Sequence, residues 1–554
     1  MARNIVSYYR KAGIGVVRIS SIRVANYSRI RDLDLDIRGH AVIVGANDVG
    51  KSSLLRLLNL TLGGTTGQLY QQLSLADLAD PAQELTCDVV LDSLTDDERT
   101  LFPGEIDIDP DDQSETLPIR LTVTQDVADA DAVAVRRWFP VAGHERAPTR
   151  EQLAAFGWRY LSAVRGTSAS AIEGPASALQ TLLRAIDLGV EKGELPGLLD
   201  NFNEKLGASE RLAGLRKDIA AHLSRAMPKV INQSDLAVRT AADPTTDVLD
   251  SVSMFFERDG AHVPLAEQSD GLRQLMAMTL FDLAEGEANI IAVDEPEIHL
   301  HPVSQRTVAD LFAHSANQRI LVTHSPYIVQ RFEPSQVIAV SPDGTCHQIS
   351  ASKLTAVQKL QANWWSPRLL EALTAPFVIA VEGVSDRVII EATAAAMGIS
   401  LDRCGALVIE LDGADKFRHV HKLIGPDGFG VRVLGLVDEA EKGPWLTALG
   451  GRSALGTSLW VCDPDLEAEY CNGLTAQVVG QALITAGACR QAGILQACGA
   501  ASIADLQPSD VAKFCRERKV IAAVAVATAI TAVIASSLPN VSALLAKLQQ
   551  LAAA

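Results

Sequence analysis

A glycine-rich loop near the start of the chain ends in lysine and serine. Residues 45–53 read GANDVGKSS, which fits the phosphate-binding pattern GxxxxGK[ST]. The loop follows the apolar run Ala41–Val44 and opens a predicted helix over Lys51–Leu62. Its backbone N–H groups and the helix N-terminus favour phosphate, so we predict an ATP site. The candidate nucleotide-binding residues are Gly45, Asn47, Gly50, Lys51, Ser52 and Ser53.

Two carboxylates far downstream fit the other half of such a site. Asp294 and Glu295 end the apolar run Ile290–Val293. We expect Lys51 to reach the β- and γ-phosphates and Ser52 to ligate magnesium, with Asp294 holding the same ion through water. Glu295 is then expected to orient the attacking water. These roles predict ATP hydrolysis.

Three further residues complete this pattern. Ser269 and Gly271 lie in the octapeptide EQSDGLRQ at the start of a predicted helix, where they form an anion-binding turn. The sequence resembles ABC ATPases, in which such a turn completes the γ-phosphate site of the partner subunit, so the resemblance implies a homodimer. His324 lies in the stretch THSP after the next predicted strand, and we expect it to act as a γ-phosphate switch.

A second group of carboxylates follows a pattern of alternating strands and helices that begins near residue 377. The predicted strands Phe377–Val381, Ala406–Glu410 and Arg432–Leu436 are each followed by acids. Parallel strands place their sites at their carboxyl ends, so we expect Glu382, Asp386 and Asp438 to share one cavity. Such a cluster requires divalent cations, magnesium or manganese, which fit phosphodiester cleavage.

These features together resemble the overcoming-lysogenization-defect (OLD) family, in which an ABC ATPase of the SMC and recombination-repair kind is fused to a Toprim domain. Glu382 matches the glutamate of the Toprim pattern, and Asp438 matches the first acid of its Asp-x-Asp motif. The sequence departs from that motif at Ala440, which puts the second metal in doubt. Further metal-ligand candidates are Glu439, Glu441 and Glu467, and the resemblance implies a catalytic role for Lys519.

The predicted fold class is a multidomain α/β protein. Residues 1–148 and 241–372 are assigned to the ABC-type ATPase domain, and 373–475 to the Toprim domain. The pattern turns helical after residue 149, and the resemblance implies a helical dimerisation insertion over 149–240. Residues 476–554 are predicted to form a helical tail that completes the nuclease domain.

Composition narrows the functional classes. The 554 residues carry a formal net charge of −18, which argues against a simple basic nucleic-acid coat protein but allows a local basic patch. The eight cysteines contain no CxxC pair, and scattered thiols fit a reducing cytoplasm. We predict a buried Ala-rich helix over Val520–Leu538 rather than a membrane span, because alanine contributes little to insertion.

The functional hypothesis is an ATP-dependent, metal-dependent DNA endonuclease of the OLD type, commonly associated with prokaryotic antiphage defence. It would act as a homodimer or higher homo-oligomer, with an accessory defence protein or nucleic-acid partner. Two alternatives stay open: a nucleotide-driven sensor or scaffold with a degenerate Toprim site, and a nuclease acting on RNA. Ala440 separates the first alternative from the endonuclease.

Overall fold

The structure is a computed structural model that describes residues 17–30, 32–129, 131–162, 255–258, 261–264, 267–284, 288–350, 353 and 365–553, with scattered positions in 197–217. The chain divides into two compact units. The first contains residues 1–7, 159–288 and 298–304, and the second contains 8–158, 289–297 and 305–554. The predicted helical insertion over 149–240 lies largely outside the described residues.

The described strands are β1 (Arg18–Ala25), β2 (Leu33–Asp36), β3 (Ala41–Gly45), β4 (Leu85–Asp92), β5 (Asp107–Ile108), β6 (Glu115–Gln125), β7 (Val133–Trp138), β8 (Trp158–Leu161), β9 (Phe255–Arg258), β10 (Ala261–Pro264), β11 (Ile290–Asp294), β12 (Gln318–Val322), β13 (Val337–Val340), β14 (Cys346–Gln348), β15 (Phe377–Val381), β16 (Ala406–Glu410), β17 (Arg432–Asp438) and β18 (Leu459–Cys462).

The described α-helices are α1 (Lys51–Leu62), α2 (Thr66–Gln72), α3 (Asp96–Arg99), α4 (Arg150–Ala155), α5 (Asp270–Ala284), α6 (Pro302–Ala313), α7 (Pro326–Val329), α8 (Pro367–Glu371), α9 (Val384–Ala396), α10 (Phe417–Ile424), α11 (Lys442–Ala448), α12 (Leu466–Leu474), α13 (Ala476–Thr485), α14 (Gln491–Cys498), α15 (Pro508–Arg516), α16 (Lys519–Ala527), α17 (Ala532–Ala535) and α18 (Pro539–Ala552).

Two sheets in the second unit surround the glycine-rich loop. An antiparallel sheet has the order β2-β1-β4-β6-β5, with β7 paired to β6. In its strand β4, inward-facing residues alternate with partly exposed ones, as expected for a sheet that buries one face. The other sheet contains the run β14-β13-β3-β12-β11, in which β13, β3, β12 and β11 are parallel.

The parallel strands of this second sheet are buried along their whole length. Every residue of β3, β11 and β12 is buried, which explains the apolar runs Ala41–Val44 and Ile290–Val293 and the apolar end of β12 at Ile320, Leu321 and Val322. Because the strands are parallel, the carboxyl ends of β3 and β11 reach the same edge of the sheet. The loop after β3 and the acids after β11 are therefore brought together there.

A four-stranded parallel sheet forms the C-terminal part of the second unit, in the order β16-β15-β17-β18. The chain leaves β15 to one side for β16 and then crosses to the other side for β17. This reversal leaves a crevice at the carboxyl ends of β15 and β17, which is where open α/β sheets bind ligands. The predicted strands Phe377–Val381 and Ala406–Glu410 are confirmed, and β17 continues to Asp438.

The helical tail packs on this sheet and shares one apolar core with it. The predicted helix over Val520–Leu538 is wrong as a single element, since α16 ends at Ala527 and α17 begins at Ala532. The Thr528 hydroxyl donates to the Ala525 carbonyl oxygen at 2.7 Å, a local bond that competes with helix continuation. No described helix is long and apolar enough to cross a membrane.

The tail also differs from the prediction in burial. Ala522, Ala523 and Val526 are buried, whereas Ile521 and Val524 are 57% and 52% exposed. Helix α16 is therefore buried on one face only.

Sequence patterns missed several elements. Strands β7, β13 and β18 have no predicted counterpart, and β8 at Trp158–Leu161 replaces part of the stretch predicted to be helical. Strands β8, β13 and β18 have only four residues each, so their apolar periodicity is weak. In the first unit, the described residues form the antiparallel hairpin β9–β10 and helix α5, which confirms the helix predicted near 272–284.

Candidate functional site

Backbone geometry fixes the glycine-rich loop between β3 and α1. Gly50 has φ +95°, and a Cβ there would lie 1.8 Å from the carbonyl oxygen of Arg29. Only glycine fits this position, because the conformation is left-handed and the space is already filled. Helix α1 then starts at Lys51, so its first N–H groups open toward the loop.

The Ser52 hydroxyl donates to Asp294 Oδ1 at 2.9 Å, although 242 residues separate them in sequence. Asp294 is 8% exposed. Burial raises the pKa of its carboxyl, and the Ser52 hydrogen bond partly opposes the shift. The structure thus brings together the two residues predicted to share a magnesium ion.

Lys51 is buried beneath the loop that it follows. Its Nζ donates to the carbonyl oxygens of Gly45 at 3.2 Å and Ala46 at 2.5 Å. Burial lowers the pKa of Lys51 to about 8, while Glu295 and Asp294 act to raise it. Lys51 therefore lies at the end of the loop, close to carboxylates that favour its charged form.

Glu295 follows β11 and His324 lies just after β12, so their side chains meet at the ends of these neighbouring strands. The Glu295 Oε1 atom lies 3.8 Å from His324 Nε2. Burial, followed by the charge of Lys51, lowers the pKa of His324 to about 4, so its imidazole is neutral near pH 7. Glu295 has φ +48°, an uncommon value for a non-glycine residue that occurs at functional turns.

Sequence reasoning assigned no role to Glu297, which the structure places at the same switch. Its Oε1 accepts a hydrogen bond from the His324 backbone N–H at 2.5 Å, and its Oε2 accepts one from the Thr323 hydroxyl at 2.8 Å. The available sequence signal was its position two residues after Glu295, in the motif DEPE.

The other predicted nucleotide-site residues are placed as follows. Asn47 is exposed in the loop, and the Ser53 carbonyl oxygen accepts a hydrogen bond from the Tyr27 hydroxyl at 3.3 Å. Ser269 and Gly271 lie in the first unit, at the start of α5. Gly271 leaves no room for a side chain, since a Cβ would lie 2.8 Å from the His299 carbonyl oxygen.

The second predicted cluster assembles in the crevice between β15 and β17. The Asp438 backbone N–H donates to Glu382 Oε1 at 3.4 Å, which brings the ends of the two strands together. Asp438 Oδ1 accepts a hydrogen bond from the Leu466 N–H at 3.0 Å, so the start of α12 is tied to the same carboxylate. Asp386 accepts one from the Gly383 N–H at 2.8 Å, at the first turn of α9.

Lys519 places a positively charged side chain next to this cluster of acids. Its Nζ lies 3.8 Å from Asp438 Oδ2 and 3.9 Å from Glu467 Oε2. Burial alone would lower the pKa of Lys519, but Glu467 and Asp438 raise it overall, so the lysine is charged. The structure therefore unites Lys519 with the predicted acids, although it follows Glu382 by 137 positions in sequence (519 − 382).

Burial disfavours the ionised form of the acids in this cluster. Burial is the main cause that raises the pKa of Glu382, Asp438 and Glu467, and it raises that of Asp386 to about 7. Glu467 is 2% exposed, and its Oε2 has no hydrogen-bond partner. Groups with raised pKa values and an unpartnered buried oxygen fit a divalent cation, which stabilises their ionised form.

The residues around Ala440 do not extend the strand. Asp438 ends β17, and Glu439–Glu441 form one turn of 3₁₀ helix. Glu439 forms an ion pair with Lys442. Glu441 lies near enough to Glu382 to raise the pKa of that carboxyl. Among the described residues, no three acidic, thiol or imidazole groups already converge as ligands of one ion.

Two ion-pair groups that the sequence did not indicate flank the cluster. Arg516 Nε lies 2.5 Å from Asp465 Oδ2, which joins the end of α15 to the start of α12. Glu410, at the end of β16, is paired with both Arg368 and Arg387. Their sequence separations of 51, 42 and 23 positions leave no local motif that could reveal them.

Known protein families match both parts of the chain. Residues 41–330 match the family described as "AAA domain, putative AbiEii toxin, Type IV TA system", which covers more than half of the chain. The chain belongs to this family. Residues 373–439 match the family described as "Overcoming lysogenization defect protein-like, TOPRIM domain". An ATPase domain followed by an OLD-like Toprim domain confirms both the resemblance to the OLD family and the predicted fold class.

Individual proteins are similar at lower coverage. Endonuclease GajA of Bacillus cereus (strain VD045) is 21% identical over 233 residues, which are 40% of this chain and 39% of GajA. The match thus spans about two fifths of that relative's length.

Two solved structures are also similar. The Smc head domain of Pyrococcus furiosus is 15% identical with a TM-score of 0.38, over 63% of this chain and 100% of that one. The C-terminal region of the Burkholderia pseudomallei OLD protein is 22% identical with a TM-score of 0.27, over 32% of this chain and 98% of that one.

Proposed function

We propose that this chain hydrolyses ATP at its N-terminal domain and cleaves DNA, in a metal-dependent reaction, at its Toprim domain. The observation that carries the proposal is the group of buried carboxylates around Lys519 in the crevice between β15 and β17. Phosphodiester cleavage at such a site would use divalent cations, and bound cations would favour the ionised form of these buried acids. The similarity of part of the chain to an endonuclease supports the same chemistry.

At the nucleotide site, each residue has a distinct task. Ser52 would hold magnesium directly and Asp294 would hold it through water, while Lys51 would neutralise the β- and γ-phosphates. Glu295 would orient the attacking water, while the N–H of the neutral His324 imidazole would donate a hydrogen bond to the γ-phosphate. Ser269 and Gly271 would complete the site of a second copy of the chain.

At the Toprim site, Glu382, Asp438 and Glu467 would hold magnesium or manganese, and Asp386 supports the same cavity. Bound cations would activate water and neutralise the phosphate. Lys519, 3.8 Å from Asp438 Oδ2, would stabilise the extra negative charge of the pentavalent phosphate.

The test is cleavage of supercoiled plasmid DNA and of matched RNA with magnesium or manganese, with and without ATP. Lys51→Ala is expected to abolish ATP turnover, and Asp438→Ala to abolish cleavage. Cleavage that persists unchanged in Asp438→Ala would show that the Toprim assignment is wrong. A strong preference for RNA would replace the DNA substrate while leaving the site intact.

A second candidate function is a nucleotide-driven sensor or scaffold that binds nucleic acid or an effector protein without cutting it. It is favoured by Ala440, which replaces an acid of the Toprim motif, and by the pairing of Glu439 with Lys442. A purified protein that turns over ATP and binds DNA without cleaving it under any metal condition would support this candidate.

The proposed setting is a homodimer or higher homo-oligomer in a prokaryotic cytoplasm, acting in defence against phage with an accessory partner. The proposal of a dimer rests on Ser269 and Gly271. In ABC ATPases, the anion-binding turn at this position completes the nucleotide site of a neighbouring copy. Sedimentation with and without ATP tests this part of the proposal.

A further inference from the structure

Two hydrogen bonds hold the turn after β11, one to helix α1 and one to the end of β12. On one side Asp294 accepts the Ser52 hydroxyl hydrogen bond at 2.9 Å. On the other side the Glu295 N–H donates to the Val322 carbonyl oxygen at 2.8 Å, so the turn is joined to the end of β12. Glu297 is the next residue of this turn that forms hydrogen bonds through its side chain.

Glu297 bonds to the segment that carries the switch histidine. Its two carboxylate oxygens accept from the His324 N–H and from the Thr323 hydroxyl, at 2.5 and 2.8 Å. Thr323 is fully buried, and its Oγ also accepts from the Ser325 N–H at 3.0 Å. One carboxylate thus fixes the main chain of His324 and the residue before it.

The far side of the same segment has a different anchor. The Ser325 hydroxyl donates to Gln305 Oε1 at 2.6 Å and accepts from the Ile328 N–H at 3.3 Å, where it caps α7. Removing Gln305 would therefore loosen the segment at Ser325 while leaving the bonds to His324 in place. This difference supplies a matched control.

We propose that Glu297 is a positioning residue for ATP hydrolysis, which sets the distance between the His324 imidazole and the Glu295 carboxylate. It acts through Thr323 and His324 and has no direct role at the phosphates. Without it, the His324 N–H would lose its hydrogen bond to the turn after β11, and the 3.8 Å separation of Glu295 and His324 would depend on the bond from the Glu295 N–H to the Val322 carbonyl oxygen. This inference rests on the proposed ATPase function.

The expected effect follows from the geometry of attack. A misplacement of about 1 Å at a reacting group costs about 100-fold in rate, so we expect Glu297→Ala to lower kcat by about 10- to 100-fold. KM and the affinity for a fluorescent ATP analogue should stay within about threefold, because the charge of Glu297 acts on Lys51 less strongly than those of Glu295 and Asp294, which stay in place. Glu297→Gln should recover most of the rate, since its amide oxygen still accepts from the His324 N–H and its NH₂ can donate to Thr323 Oγ.

The experiment measures kcat, KM, analogue affinity and thermal stability in full-length wild type, Glu297→Ala, Glu297→Gln and Gln305→Ala. A loss of kcat at constant affinity in Glu297→Ala, absent from Gln305→Ala, supports the proposal. Equal losses of kcat and stability in Glu297→Ala and Gln305→Ala would reduce Glu297 to a structural residue and overturn it. Unchanged kcat in folded Glu297→Ala would overturn it as well.

A double-mutant cycle with His324→Ala keeps the test independent of overall stability. If Glu297 acts through His324, its removal should cost less than about threefold in kcat once His324 is absent. Full additivity of the two effects would overturn the proposal. Wild-type turnover no higher than that of Lys51→Ala would instead refute the ATPase function itself, and this inference with it.

Discussion

Replacing Gly50 by alanine tests the geometry of the nucleotide loop directly. Its φ of +95° costs an L-residue about 1–2 kcal/mol, and the new Cβ would lie 1.8 Å from the Arg29 carbonyl oxygen. Contacts below 3.0 Å force the backbone to move, so we expect a total loss of about 3 kcal/mol, within the range of severe single substitutions.

The assays are thermal unfolding and binding of a fluorescent ATP analogue. For a domain of this size, about 3 kcal/mol corresponds to a decrease in Tm of about 6–12 °C. Analogue affinity should fall by about tenfold or more, because the N–H groups around Gly50 must shift away from the phosphates.

Gly67 in α2 is the matched control. A Cβ there meets nothing within 4 Å, and the residue lies in a helix, so Gly67→Ala should leave binding unchanged and add about 0.5–1 kcal/mol of stability. A Gly50→Ala protein with wild-type Tm and affinity would refute the described loop conformation.

Three other outcomes are expected. Ser52→Ala should lower magnesium-dependent ATP turnover by about 100-fold, measured by phosphate release, because it removes the proposed metal ligand and a hydrogen bond to Asp294. Burial raises the pKa of Asp386 from 3.8 to about 7, so its folded state prefers the protonated form. Stability in EDTA should therefore fall as pH rises from about 4 to 7, by up to about 4 kcal/mol relative to Asp386→Asn, in urea titrations at each pH; equal pH profiles would contradict the burial of Asp386. Ile521→Glu, on the exposed face of α16, should change stability by about 0.5 kcal/mol or less, whereas Ala523→Glu should cost more than about 3 kcal/mol, because it buries a charge.

Much of the site could be predicted because its residues lie at the ends of buried strands. The apolar runs of β3 and β11 are continuous and adjoin a glycine-rich loop and a pair of acids, so local sequence identifies strand and site together. The Toprim strands β15 and β16 were predictable to the residue for the same reason.

The features that the sequence did not predict depend on contacts between residues that are far apart in the chain. Strand β18 has only four residues, and its place beside β17 follows from the crossover of the chain. The bond from Glu297 to His324 joins two turns that are 27 positions apart, and the bridge from Arg516 to Asp465 spans 51. The segment Val520–Leu538 was predicted as one helix because it contains no charged residue, whereas the Thr528 hydroxyl bonds locally where α16 ends.

The sheet that carries the nucleotide loop has a consequence for synthesis of the chain. Ile43 of β3 pairs with Val322 of β12, 279 positions later (322 − 43). A ribosome adds about 5–20 residues per second, so β3 waits about 14–56 s for this neighbour. During that interval its fully apolar residues and unpaired backbone groups are exposed, which makes the nascent chain a substrate for chaperones and for aggregation. The proposed magnesium site at Asp294 can form only after β11 and β12 have emerged.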